Sequence, residues 1–280
     1  MRGHPVRALT RRPQEPIKGV RWVDGALDNA DSLARLAEGA DAIIHVAGVV
    51  NARDREGFAV GNVEGTLAMV EAAKAAGVQR FIHVSSLAAR EPELSNYGWS
   101  KARAEQIVGA SGLDWTAVRP PAIYGPGDME MLDLFRWAKR GLMLLPPRGR
   151  LSVIEVSDLS RLLLSLVPVG DTLAEIYEAD DGQPGGWTHK QFAGAIVAAV
   201  GTRAATVHAS PRMLRIGARI DGLVRRRRAK LTLDRAAYFS HEDWVIDAAR
   251  RPPADVWQPH IQTLAGLKAT AVAYRAAGLL

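Results

Sequence analysis

The chain contains no cysteine, which excludes disulfides, thiol chemistry and cysteine metal sites. Its seven histidines show no His-Glu-x-x-His or similar ligand spacing, so no metal site is expected. No apolar run reaches the roughly 18 residues needed to span a bilayer. The start, Met1-Arg2-Gly3-His4-Pro5-Val6-Arg7, lacks the apolar core of a signal peptide. A soluble, cytoplasmic protein with no membrane span is therefore expected. Aromatic residues make up only 6% and are not interleaved with basic ones in the way a single-strand stacking surface requires, so no nucleic-acid partner is expected. There is no internal repeat and no low-complexity segment.

What remains is a chain of 280 residues, 48% hydrophobic, enough for one large α/β domain with a smaller appendage. The net charge of +6 suits an anionic cofactor, nucleic acid or a membrane surface. The charges are scattered, except for the run Arg225-Arg226-Arg227-Arg228, which reads as a solvated helix face. Residues 5–10 and 20–23 have strand character. Residues 41–47 and 81–84 are nearly continuous apolar runs, which suit strands buried on both faces of a parallel sheet. Between them lie a short helix capped by Asp31 and stopped at Gly39, and a longer one over 63–76 stopped at Gly77. A helix over 96–108 carries Tyr97 in its first turn, and a strand follows at 115–118. This alternation predicts an α/β fold with a doubly wound parallel sheet. Beyond residue 128 the texture changes: a helix over 129–139, a strand at 151–155, a helix capped by Ser157-Asp158, a strand at 176–179 and a helix over 188–200. An Arg-rich helical tail then begins at Pro211.

Tyr97 and Lys101 are one helical turn apart and so share a face. A phenol is a weak acid or base at neutral pH, and a nearby ammonium lowers its pKa. A phenol so tuned can exchange a proton with an alcohol/carbonyl pair. Ser86 ends an apolar strand, and ligands sit at the carboxyl ends of strands in such sheets. Tyr-x-x-x-Lys alone is a short pattern. Its weight comes from the setting: a buried strand ending in Ser85-Ser86, a short loop, the helix, then a strand ending in Arg119-Pro120.

Six segments occur in order: His45-Val46-Ala47-Gly48, Asn62-Val63-Glu64-Gly65-Thr66, Val84-Ser85-Ser86, Tyr97-Gly98-Trp99-Ser100-Lys101, Arg119 to Pro126 and Val156-Ser157-Asp158. Together with His241-Glu242-Asp243-Trp244 and Ala273 to Gly278, which look like that family's C-terminal helices, the set resembles the extended short-chain dehydrogenase/reductases, the epimerase/dehydratase-like branch. The resemblance implies a Rossmann-like core over residues 1–128, with 151–180 returning to it. It also implies a smaller, mainly helical substrate region over 129–150 and 181–280. It implies Tyr97 as acid/base and Lys101 as the group that binds the nicotinamide ribose and lowers the tyrosine pKa. Ser86 would orient the substrate oxygen, with Ser85 as the alternative, and Asn62 would prop the active-site helix. His45, Ala47 and Gly48 fall beside the cofactor, and Pro120, Ala122 and Ile123 along the nicotinamide amide. A homodimer is the family's habit. Arg11 and Arg12 follow the second expected strand of the sheet, where an acid would favour NAD and a guanidinium suits the 2′-phosphate of NADP. NADP is therefore expected over NAD, with Asp24 or Asp28 near the adenine in place of the acid that many relatives have where this chain has Ala26.

The family pattern opens with a strand, a Gly-x-x-Gly-x-x-Gly loop and a helix before the strand at residue 5. Here Arg2-Gly3-His4 reads as the end of that helix, and no such loop appears later. The first βα unit is thus expected to be missing, by truncation or by descent. Ten residues separate Ser86 from Tyr97, and no acidic pair follows Ser86, which disfavours sugar dehydration. The expected function is alcohol/carbonyl interconversion on a small or medium organic substrate. The alternatives are a sugar or sugar-nucleotide epimerase, or a non-catalytic accessory or assembly protein. Leu142 to Leu145, Trp187 and Trp244 hint at an apolar substrate, though they better suit the core of the smaller region.

Overall fold

The computed structural model describes residues 4–168, 170–226, 229 and 231–280. The expected helix stop at Arg2-Gly3 and the Arg227-Arg228 half of the arginine run lie outside the described residues. The main sheet has four parallel strands in the order β10-β5-β4-β3: β3 (Ala42–His45), β4 (Arg80–Val84), β5 (Asp114–Arg119) and β10 (Glu175–Glu178). All five residues of β4 are buried, as its apolar run predicts for a central strand. Phe81 packs with Ile43 against α1 (Ala30–Ala37), α3 (Gly65–Ala75) and α4 (Asn96–Gly109). On the opposite face Ile82 and Val84 meet Leu159, Leu162 and Leu163 of α6 (Val156–Ser165).

β1 (Val6–Thr10) and β2 (Val20–Asp24) form a separate parallel pair. Leu9 of β1 joins the cluster that holds Ile43 of β3, so the pair lies on the same packed layer. Among the described residues β1 bonds only to β2, and β3 only to β4. Neither shares a ladder with the other.

The remaining elements are α2 (Arg55–Phe58), β6 (Ala122–Tyr124), α5 (Leu132–Lys139), β7 (Leu142–Leu145), β8 (Arg150–Leu151), β9 (Val153–Glu155), β11 (Trp187–Thr188), α7 (His189–Val200), β12 (Ala205–His208), α8 (Pro211–Arg225), α9 (Leu233–Ser240), β13 (Asp243–Trp244) and α10 (Thr263–Ala276). β6 pairs with β9, β7 with β12, and β8 lies between β11 and β13. Tyr124, Phe135, Met143, Phe192 and Tyr274 centre the second core. α8 packs on α9 through Leu214, Ala218 and Ala236.

Several local expectations are corrected. Asn29, not Asp31, caps α1, because its side chain accepts from Ser32 N; Asp31 sits in the first turn. Glu155, not Ser157-Asp158, caps α6, accepting from Ser157 N at 2.6 Å. The carboxylate of Asp158 instead accepts from His260 N and Ile261 N, both at 2.9 Å. The expected strand at 151–155 divides at Ser152 into β8 and β9, which serve different sheets. His241-Glu242-Asp243-Trp244 is not helical: it leads into β13. The helix expected over 63–76 is preceded by a π-helical segment, Ala59–Glu64.

Candidate active site

α4 starts at Ser95, whose hydroxyl accepts from Gly98 N at 3.0 Å. Gly98 is required by close approach: a Cβ there would lie 2.6 Å from the Ala88 carbonyl oxygen. The first turn of α4 thus lies directly against the turn that follows Ser86, and this brings Tyr97 to Ser86. The Ser86 side chain lies near the phenol and favours its ionised form. Its ring lies between Phe58, with centroids 6.0 Å apart, and Tyr238, at 6.5 Å and nearly edge-on. Tyr238 stacks in turn on Trp244 at 4.5 Å. One turn along α4, Lys101 is buried and donates from Nζ to the Val84 carbonyl at 2.8 Å.

Burial raises the Tyr97 phenol above its ordinary pKa, and the nearby Ser86 side chain opposes that shift. The same burial lowers Lys101 to about 8, against the pull of Glu105 one turn further on. The net direction at Tyr97 is therefore upward. Desolvation is the largest cause, and the Lys101 ammonium is engaged by the Val84 carbonyl.

The two serines separate clearly. Ser85 donates to Glu105 at 2.5 Å, and Glu105 is clamped by Arg119 at 2.8 and 2.7 Å. Ser86 faces Tyr97 and accepts from Ala88 N at 3.2 Å. Asn62, on the π-helical segment, bonds Val49 through both backbone groups and donates to Ser100 Oγ of α4 at 2.8 Å. It thus ties the chain after β3 to the active-site helix. Gly48 lies against it, since a Cβ there would sit 2.7 Å from Asn62 Oδ1. Ala47 and Gly48 are exposed. His45 points into the core, 3.1 Å from Thr66 Oγ1 and stacked on His83. Burial and the nearby Lys101 lower His45 to about 3, so its imidazole is neutral. Pro120 is buried, its carbonyl accepting from Leu87 N, while Ala122 and Ile123 are half-buried. Arg11, Arg12 and Asp24 are exposed at the far end, where Thr10 Oγ1 donates to Arg12 O and folds the chain back. The structure thus joins Ser86, Tyr97, Lys101 and Asn62 in one cluster, with Arg11, Arg12 and Asp24 apart from it.

Sequence reading missed the buried charge network of Glu105, Arg119, Glu178 and Arg90 beneath the site. The spacing of Tyr97, Lys101 and Glu105, each a turn apart, was the available signal. It also missed Tyr238 against Tyr97. Of the apolar residues suspected of lining a pocket, Trp244 clusters with Tyr97. Met143 and Leu145 belong to the second core instead, because β7 alternates its side chains and leaves Leu142 and Leu144 exposed.

The donors present fit the nicotinamide half of a dinucleotide. Lys101 and the Tyr97 and Ser86 hydroxyls converge at the carboxyl ends of β4 and β5, beside the open segment Ala47-Gly48. Among the described residues no glycine-rich turn opens a helix between β1 and β3 to cradle a pyrophosphate.

The family model for NAD(P)H-binding proteins matches residues 1–130. A ceramide reductase of Caulobacter vibrioides is 38% identical over 287 residues, covering 99% of this chain and 89% of that protein. A 3-beta-hydroxysteroid dehydrogenase of Mycolicibacterium neoaurum is 26% identical over 253 residues, covering 76% of this chain and 68% of its own. Among solved structures, MoeE5 in complex with UDP-glucuronic acid and NAD superposes with a TM-score of 0.74. The superposition covers 98% of this chain and 92% of that one at 20% identity, and so speaks for the fold alone. With the ordered motifs, the parallel Rossmann-like sheet and these relatives together, the chain belongs to the extended short-chain dehydrogenase/reductase family.

Proposed function

We propose that this chain is an NADP(H)-dependent reductase that interconverts a carbonyl and an alcohol on an apolar, lipid-like substrate. The observation that carries the reading is the convergence of Ser86, Tyr97 and Lys101, with the first turn of α4 packed on the turn after Ser86 and the ammonium one turn behind the phenol. A substrate carbonyl oxygen placed against the Ser86 and Tyr97 hydroxyls would be held by the first and protonated by the second. Burial keeps Tyr97 protonated at neutral pH, which favours the reductive direction. Lys101 stays charged below about 8 and supports the phenolate left after proton transfer. A bound nicotinamide would supply the hydride. Phe58, Tyr238 and Trp244 wall the phenol with apolar surface, and relatives named for ceramide and hydroxysteroid chemistry point the same way. Arg11 and Arg12 support NADP(H) over NAD(H), since their exposed guanidinium groups follow β1 where the 2′-phosphate falls in this fold. Residues 1–128 with 151–180 would form the cofactor half, and 129–150 with 181–280 the substrate half.

One observation favours a second reading, a dinucleotide fold retained for a non-catalytic role: β1 and β3 share no ladder. The two readings part in one experiment: NADPH oxidation with a long-chain ketone and with a UDP-sugar, beside calorimetry of NADPH and NADH. Turnover of the ketone with tighter NADPH binding is expected. Tighter NADH binding would remove the role given to Arg11, and nucleotide binding without turnover of either substrate would leave the accessory reading.

A further inference from the structure

α8 presents two different faces along its length. Leu214 and Ala218 turn inward onto α9. Met213, Ile216, Ile220, Leu223 and Val224 turn outward, and Leu223 and Val224 are 77% and 76% exposed. Spacings of three and four put these five on one stripe of the helix. Arg212, Arg215 and Arg219, spaced likewise, run along its flank, all exposed. The single acid in α8, Asp221, is turned away: it pairs with Arg225 and accepts from Leu231 N. In sequence the arginines continue through Arg228. An ordinary surface helix shows water its polar side, whereas this one shows five large apolar residues bordered by guanidinium groups.

We propose that α8 is a membrane-surface helix that lies in the interface of an anionic bilayer, with its apolar stripe among the acyl chains and Arg212, Arg215 and Arg219 on lipid phosphates. Cationic borders on an exposed apolar stripe are what this placement requires, and neither neutral lipid nor another apolar protein face would use the arginines. The helix spans about 22 Å at 1.5 Å per residue, and it can lie on a bilayer but is too short to cross it. Its position gives the contact a purpose. α9, the helix directly beneath, places Tyr238 against Tyr97 and accepts with Asp234 from Asn96 N at the start of α4. One helix therefore separates the lipid surface from the phenol. The docking surface goes beyond the proposed reduction and does not depend on it.

The test is flotation of the full chain with vesicles of phosphatidylcholine alone and with vesicles carrying about one-third phosphatidylglycerol. The chain is expected to float with the anionic vesicles and to stay behind with the neutral ones. The double variant Leu223→Asp, Val224→Asp should lose most of the bound fraction. Arg215→Glu with Arg219→Glu should weaken partitioning about fivefold or more per arginine, and added salt should weaken the wild type. These positions are exposed, so melting temperatures should match the wild type. Failure of the wild type to float, or equal flotation of the variants, overturns the proposal. So does a variant that turns a dimer into a monomer in sedimentation while vesicle binding is absent, because the stripe would then serve self-association. Turnover of a water-soluble ketone, measured without vesicles, reports separately on the proposed reduction and should be the same in all variants.

Discussion

Around Tyr97 nearly every polar group is held from inside the protein. Lys101 has the Val84 carbonyl, Ser85 has Glu105, Glu105 has Arg119, and Asn62 holds both Val49 and Ser100. Along β1 and the end of β3 the opposite applies: Arg11, Arg12, Asp24, Val46, Ala47 and Gly48 are all exposed, and Val46 is 60% so. The proton-transfer end of the site is built to stay in place before any substrate arrives. The end proposed for the adenosine offers exposed charge. Proton transfer demands a fixed geometry to a few tenths of an ångström, while holding a flexible polyphosphate does not.

The sharpest break of this contrast is Tyr97→Phe. It should remove about 10³-fold of kcat while leaving nucleotide affinity and melting temperature unchanged, because only proton transfer is lost. Steady-state rates beside calorimetry check it, and a comparable loss of nucleotide affinity would show that the two ends are not separable. Next in size is completion of the open end. A chain extended upstream of Met1 by a strand and a Gly-x-x-Gly-x-x-Gly loop should bind NADPH about 10²-fold more tightly, the worth of one or two charge-assisted bonds. Equal affinity of the two chains would show that the cradle is supplied otherwise.

The third prediction concerns pH. Lys101 titrates near 8 and Tyr97 above its ordinary value, so kcat/KM for reduction should be flat on the acid side of 8. It should fall about tenfold per pH unit above that, as the ammonium is lost before the phenol ionises. A profile flat to pH 10 would remove Lys101 from the rate. The smallest expected effect is at the open end: Arg11→Ala should weaken NADPH binding about tenfold and leave NADH unchanged, as for one exposed guanidinium–phosphate contact. Parallel losses for both cofactors would assign Arg11 a structural role.

Legibility in the sequence follows the same contrast. The central strands were readable because burial on both faces leaves near-continuous apolar runs, and Tyr97 with Lys101 was readable because helical spacing is local. The two-residue strands β8, β11 and β13 were not, since their pairing is set by distant partners and not by period. The caps at Asn29 and Glu155 were misplaced by two residues because several neighbouring side chains could have served. Glu178 and Arg90 were unreadable as a network, because β10 meets β5 and the turn after Ser86 only in the folded chain. The upward direction at Tyr97 was not legible, because sequence spacing shows a neighbouring charge but not desolvation.

The separate β1–β2 pair has a consequence for how stability is distributed. Five residues of each strand form one ladder, attached to the rest of the fold by α1 and a few side chains such as Leu9, with no ladder to β3. Such a unit can open without breaking the main sheet, so its amides should exchange with solvent well before those of β4, whose side chains are all buried. Arg11 and Arg12 sit on this unit, so a phosphate bound there would stabilise the part of the protein that opens most readily. Hydrogen exchange in β1 and β2 would then report occupancy at the adenosine end even where the catalytic cluster shows no change.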